Sequence, residues 1–456
     1  MRRRQFLSHF GTYVAIAAMT RGSSAQTRRF AEIPLRGTRH AADYGVTADT
    51  AGDQSARFQS MIEAAANERH ALYLPAGHYF LAGIKLPSDI TLEGVPGQTR
   101  LVHSGGRFLS AGRANNIVLR GLVLESVSVA GADGVEGLVE LNDVQNFALE
   151  DCEFRRAPQS AVRLTGCGGL ISGNKITDAG DAAIYATDGT GLSVTENTIE
   201  RCGNGGVIIY RSEPGHDGTT VSRNRIRKTG ATNGGTGQWG NAINFFRADN
   251  VVARDNTISD SAFTAIRGNT VHNMQVIGNT CTGSGETAIY AEFAYQNATI
   301  ENNIVDGAAN GISAPNLDHG GHGAKISGNV VRNLQTTAPY EVDFPAFGTG
   351  IGVEADAIVH DNLIENAPLY GINAGWGPYL RNVTIEGNTI RNARFGIGVS
   401  AVEGAGRATI RDNTIGARET GILPHAWGKP VAPDLLADPD AAPPNVSVRG
   451  NIAASG

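Results

Sequence analysis

The chain has 456 residues, 59 of them glycine, with 18% charged residues, 6% aromatics and a formal net charge of −6 at pH 7. So much glycine with so few charges excludes a coiled coil and a highly charged disordered chain, and suits many short strands joined by tight turns. No concentrated Lys/Arg surface is present, which argues against nucleic acid as the main partner.

Residues 1–25 read as an export signal: Arg2, Arg3 and Arg4, then Phe6 and Leu7, a mild apolar run from about Phe10 to Met19, and Ser23, Ser24 and Ala25 as a small-residue cleavage site. The apolar run is too short to span a bilayer. Arg3-Arg4-Gln5-Phe6-Leu7 resembles the twin-arginine signal, with Arg2 where a Ser or Thr is usual, and implies a periplasmic or secreted protein. No transmembrane helix is expected after cleavage. Residues 26–114 hold an irregular lead, then a predicted amphipathic helix over 56–67 with Phe58, Ile62 and Ala65 at helical spacing. Short strands follow around ALYLPAGHY (71–79) and ITLEG (90–94). This order resembles the N-terminal part of pectate-lyase-like and tailspike-like proteins. In those proteins the helix caps the open end of a right-handed parallel β-helix, where a first rung would otherwise expose apolar core and unpaired backbone.

Residues 115–456 form the repeat domain. The phrase NVTIEGNTI at 382–390 recurs as RATIRDNTI at 407–415 and GLSVTENTI at 191–199. Looser copies place an Asn at positions 174, 197, 224, 279, 303, 329, 362, 388 and 413, and at 256 with Ala253 in place of an aliphatic; intervals run mostly 23 to 27 residues. That period signals a solenoid. Leu122 and Cys152 occupy the Asn position in two degenerate copies. Three short strands per rung fit: one before the Asn, one just after it, and one at a second phrase such as Ala183-Ile184-Tyr185 or Ala288-Ile289-Tyr290. About a dozen rungs at roughly 4.8 Å each are expected. The Asn has two local reasons: tolerance of a left-handed bend, and an amide ladder from rung to rung. The fold class is therefore all-β, a right-handed parallel β-helix with an Asn ladder and an N-terminal capping helix.

Side chains alternate along the second-phrase strand, so one outward strip should carry Tyr185, Ile208, Tyr210, Asn244, Phe246, Arg267, Asn269, Tyr290, Glu292, Glu354 and Asn373, with Arg211, Arg247 and Trp376 at strand ends. Insertions at 229–240, 316–323, 336–348 and 424–444 fall beside it. Pectin-lyase-like proteins, which this pattern resembles, place their sugar cleft on such a strip. Aromatics for sugar faces, Arg for carboxylates and Asn for hydroxyls would suit an acidic polysaccharide. The expected substrate-binding residues are Tyr185, Tyr210, Arg211, Asn244, Phe246, Arg247, Asn269, Asn373 and Trp376. The plainer reading is that exposed strands carry such residues for solubility.

Two catalytic schemes use Glu292, Arg267, Tyr290 and Glu354. Glu292 and Glu354 lie two rungs apart, roughly 10 Å between backbones, and could form an acid/base pair around a water. Alternatively Arg267 neutralises a uronate while Tyr290 abstracts the α-proton, which is lyase or epimerase chemistry and needs a lowered Tyr pKa. Against both stands a cross-rung ion pair between Arg267 and Glu292 that merely decorates the surface. Gly321-His322-Gly323 looks like the GHG element of polygalacturonases, but Arg225-Ile226-Arg227-Lys228 precedes it and no paired Asp is in register. That transfer fails. No phosphate loop or Ser nucleophile motif is present, the four cysteines lack CxxC or zinc spacing, and neither cofactor nor metal is expected. The whole pattern resembles a family of twin-arginine-translocated repeat proteins within the pectin-lyase-like β-helices. The reading that follows is an exported carbohydrate-active protein acting on or holding an acidic polysaccharide by lyase, epimerase or glycoside hydrolase chemistry, or a non-catalytic binding or envelope protein using the same strip.

Overall fold

In the computed structural model, residues 37–127, 135–235, 237–341 and 346–454 are described. The export signal read from residues 1–25 lies outside them. Among the described residues no helix is long and apolar enough to cross a membrane.

The repeat phrase dictates the rung. In NVTIEGNTI, Val383 and Ile385 of Val383–Glu386 turn inward, a two-residue bend follows, and Ile390 turns inward at the start of Thr389–Ser400. Every stacked strand places its aliphatics on those of the rung before, as in Ile326↔Val359↔Ile385↔Ile410 along the first strand. Each such side chain is fully buried, which contributes about 1.5–3 kcal/mol per residue before chain entropy is counted. Among the described residues the first strands form a parallel sheet of sixteen. That exceeds the dozen rungs expected, because Thr38–His40, Ala71–Leu74 and Ile90–Gly94 stack in the same sheet without an Asn to mark them.

The asparagines form the ladder. Asn174 Nδ2 donates to Asn197 Oδ1 at 2.9 Å, and the chain of amides continues through Asn224, Asn256, Asn279, Asn303, Asn329, Asn362, Asn388 and Asn413 to Asn451. Each Oδ1 also accepts the backbone N–H of the Asn one rung earlier, as Asn197 Oδ1 does from Asn174 at 2.9 Å. Cys152 begins the column, its N–H donating to Asn174 Oδ1 at 2.9 Å. Left-handed backbone, however, does not belong to these asparagines. It falls on the preceding residue: Glu196, Arg223, Asp255, Asn302, Asp361 and Asp412 have φ between 53° and 60°, and glycine stands there before Asn174, Asn279, Asn329, Asn388 and Asn451. Sterics explains the split. The bend needs φ > 0 at one residue, and the next must face inward with extended backbone to reach both neighbours.

The helix runs Ser55–Glu68 and buries Phe58, Met61, Ile62 and Ala65 against the first strands. Asp53 Oδ1 accepts the Ser55 N–H at 2.8 Å at its start, and Gln59 pairs through both amide atoms with the backbone of Lys85 at 2.9 Å. Those two bonds satisfy strand edge that a cap must cover. All four cysteines are free and buried.

Candidate functional site

The second-phrase strands stack in register as Tyr185↔Ile208↔Asn244↔Arg267↔Tyr290↔Ser313↔Gly352↔Asn373. A second outward column, two residues on, runs Thr187↔Tyr210↔Phe246↔Asn269↔Glu292. Glu354 follows Ile351–Val353 in this column, two rungs beyond Glu292. The strip is the one expected from the sequence, but it is not an exposed face. Tyr185 and Ile208 are buried with Ala182 beneath Trp239, which the 229–240 insertion lays over them. Gly235 and Gly240 hold that insertion against Phe263 so closely that a Cβ on Gly235 would stand 1.9 Å from the ring. Tyr210 and Phe246 stack at 4.9 Å between centroids, 9° from parallel, and Arg163 lies 3.8 Å over the Tyr185 ring.

Two hollows open along the strip. One, of about 260 Å³, is walled by Gly237, Gln238, Trp239, Asn244, Phe246, Arg267 and Asn269. The other, of about 150 Å³, lies further along between Asn310, Ser313, Pro315, Thr349, Glu354, Asn373 and Trp376. Between them stand Tyr290 and Glu292. Tyr340, from the 336–348 insertion, donates to Glu286 Oε1 at 2.6 Å and stacks on Phe263.

The electrostatics separate the four expected catalytic residues. Glu292 Oε2 accepts Arg267 Nε at 2.7 Å and Arg267 Nη2 as well, with side chains only 12% and 8% exposed. Burial pushes the Glu292 carboxyl up while Arg267 pulls it down, and the net direction is up. Arg267 therefore spends its charge on Glu292, the ion pair weighed from the sequence, but in a buried setting. Burial, and next the Glu292 and Glu286 carboxylates, push the Tyr290 phenol well above its ordinary range, opposite to what proton abstraction requires. Glu354 is raised to about 6, chiefly by burial, despite accepting the Leu317 N–H at 2.7 Å.

The binding residues divide as well. Asn373, Trp376 and Glu354 share one hollow; Asn244, Phe246, Asn269 and Arg267 share the other. Arg211 turns away, donating to Gly189 O at 3.1 Å and lying 3.8 Å from the buried Asp217. Arg247 donates to Ser212 O at 2.9 Å beside the Phe246 ring, with no carboxylate partner among the described residues. Residues the sequence reading did not place here are Gln238, Trp239, Glu286, Tyr340 and His425. The 424–444 insertion starts later than expected, since Thr414–Ala426 runs through it and returns antiparallel as Lys429–Pro430. This brings the buried His425 against Asn373 Oδ1 at 2.9 Å. Burial lowers that imidazole to about 4, and Nδ1 accepts the Gly428 N–H, so Nε2 carries the proton and fixes the Asn373 amide. A lone Trp among glycines was the available signal for Trp239.

His319 pairs with Asp318 and His322 with Gly320 O, and among the described residues no three His, Cys, Asp or Glu side chains are grouped to hold a metal. Residues 136–229 and 213–380 match the right handed beta helix region family. The chain belongs to that family.

Comparison with curated proteins returns no match. Similar solved structures include the catalytic unit of a thermostable GH87 α-1,3-glucanase from Streptomyces thermodiastaticus strain HF3-3. It is 17% identical, with 92% of this chain and 69% of that one covered and a TM-score of 0.50. The N-terminal fragment of bacteriophage phi29 gene product 12 is 16% identical, with 91% and 71% covered and a TM-score of 0.53. At such identities the likeness concerns the fold.

Proposed function

We propose that this β-helix is an exported carbohydrate-active protein that hydrolyses glycosidic bonds of a polysaccharide lying along the strip. The fold is neutral on the point, since a glucanase unit and a phage gene product are both similar to it. The observation that carries the reading is Glu354. It is a half-buried carboxyl raised to about 6, it lines a hollow, and it lies two rungs from the Glu292 carboxylate, which Arg267 holds through Nε and Nη2. Glycoside cleavage needs an acid and a base, with Glu354 protonating the leaving oxygen and Glu292, whose charged form Arg267 favours against its burial, activating water. Lyase or epimerase chemistry draws less support, because Tyr290 is driven up and Arg267 is neutralised. Of the three arginines that suggested an acidic polymer, only Arg247 keeps its charge unpaired by a carboxylate.

The second reading, a non-catalytic glycan binder, is favoured by the same Arg267–Glu292 pair, which needs no reaction to explain it. The test incubates purified protein with neutral glucans and uronate polymers and follows new reducing ends and unsaturated products. Hydrolysis abolished by Glu354→Gln supports the enzyme. Binding without products, unaffected by Glu354→Gln, supports the binder.

A further inference from the structure

The chain contains two populations of buried asparagine. The ladder asparagines have donors and acceptors on both sides. Asn244 is 1% exposed, yet neither its Oδ1 nor its Nδ2 has a hydrogen-bond partner, a condition no other side chain among the described residues shows at both ends. A buried amide without partners is costly, so a native structure that keeps one calls for an explanation. Asn244 lines the larger hollow on the strip, between Trp239 and Gln238 from the insertion and Phe246, Arg267 and Asn269 from the sheet.

We propose that this hollow is a subsite for one uncharged pyranose ring of a polysaccharide, recognised through its hydroxyls by the Asn244 amide. An amide presents one acceptor and two donors at fixed angles, which matches neighbouring hydroxyls, each both donor and acceptor. The walls are aromatic and pre-set: Trp239 rests against Tyr185 at 6.4 Å, and Phe246 is stacked on Tyr210. Such faces take the C–H side of a sugar with little ordering cost. Charge selects against a uronate. The cation facing the hollow, Arg267, is bound through two nitrogens to Glu292, and Asn269 Nδ2 also leans on that carboxylate at 3.4 Å. A sugar carboxylate placed there would lie close to Glu292, and the one guanidinium nearby without a carboxylate partner among the described residues, Arg247, stands over the Phe246 ring and donates to Ser212 O instead of lining the hollow. Asn244 stands four rungs from Gly352, about 19 Å along the strip at the usual rung spacing. A sugar held at Asn244 is thus several residues from Glu354 on one continuous chain, and the subsite would set register for the cleavage proposed above, on which reading this inference rests.

The test measures binding of glucose hexamers of α-1,3, α-1,4, β-1,3 and β-1,4 linkage, and of galacturonate and mannuronate hexamers, by calorimetry and tryptophan fluorescence. The wild type, Asn244→Leu, Trp239→Ala and Glu354→Gln are compared. The expected result is that at least one neutral hexamer binds with a change in tryptophan emission, and that Asn244→Leu and Trp239→Ala each weaken it at least tenfold, both in the wild type and in a Glu354→Gln background that prevents turnover. If uronate hexamers bind more tightly than every neutral one, or neutral binding is unchanged in Asn244→Leu, the proposal falls, as it does if no hexamer binds. Binding that depends on Asn244 without hydrolysis keeps this inference and removes the enzymatic reading. Hydrolysis unaffected by Asn244→Leu does the reverse.

Discussion

Replacing Asn244 by leucine tests whether a side chain is kept for a ligand at the expense of stability. The two residues are close in size, so the change opens no large cavity and removes two buried polar atoms that lack partners. An unsatisfied buried group costs roughly 1–3 kcal/mol and water in the adjoining hollow offsets part of that, so Asn244→Leu should stabilise the free protein by no more than about that amount. The same change at Asn279 should act in the opposite direction. Asn279 Nδ2 donates to Asn303 Oδ1 at 3.0 Å and Ala253 O at 2.9 Å, and its Oδ1 accepts from Asn256 N and Nδ2 at 3.0 and 2.9 Å. Leucine there would orphan the Asn256 N–H and the Ala253 carbonyl, a loss on the order of several kcal/mol. Because a solenoid need not unfold in one step, both variants are compared with wild type by guanidinium midpoint and by unfolding rate under identical conditions. A loss of stability in Asn244→Leu comparable to that in Asn279→Leu would refute the reasoning, since it would mean that Asn244 makes bonds in the free protein.

Glu354 has a pH signature. Its folded pKa of about 6 stands above the ordinary 4.5, so between those values the folded protein keeps a proton that the unfolded chain has released. Stability should therefore fall as pH rises from 4.5 to 6, by up to about 2 kcal/mol, and Glu354→Gln should flatten that part of a stability–pH curve. Hydrolysis, if Glu354 is the acid, should decline above pH 6 in the rate profile. Arg267→Met strands a buried carboxylate and should cost about 3–5 kcal/mol, whereas adding Glu292→Leu should recover most of it; equal losses in single and double variants, measured by denaturation, would contradict this. Gly235→Ala pushes a methyl into the Phe263 ring, and the displaced Trp239 should be visible as a shifted emission spectrum. The four cysteines are buried and the thiols of Cys152, Cys202 and Cys281 are pushed up to about 12, so native protein should resist thiol reagents at neutral pH.

The rung was legible in the chain because each of its causes is local. Alternation sets the inward aliphatics, the bend needs a small or left-handed-tolerant residue, and the ladder needs an Asn at a fixed offset. Even so, attributing the left-handed turn to the Asn missed that Gly, Asp and Asn crowd the position before it. Counting from the ladder also found the outward columns, so Asn244, Arg267, Glu292 and Glu354 were named in advance. What the tertiary structure alone decided is what those side chains meet. Arg267 and Glu292 are 25 residues apart, Tyr185 and Trp239 come from different rungs, and His425 reaches Asn373 across 52 positions. No local pattern encodes whether an outward strand residue faces water or the underside of an insertion. That choice sets burial, burial sets the carboxyl pKa values, and burial makes the unpartnered amide of Asn244 costly enough to stand out.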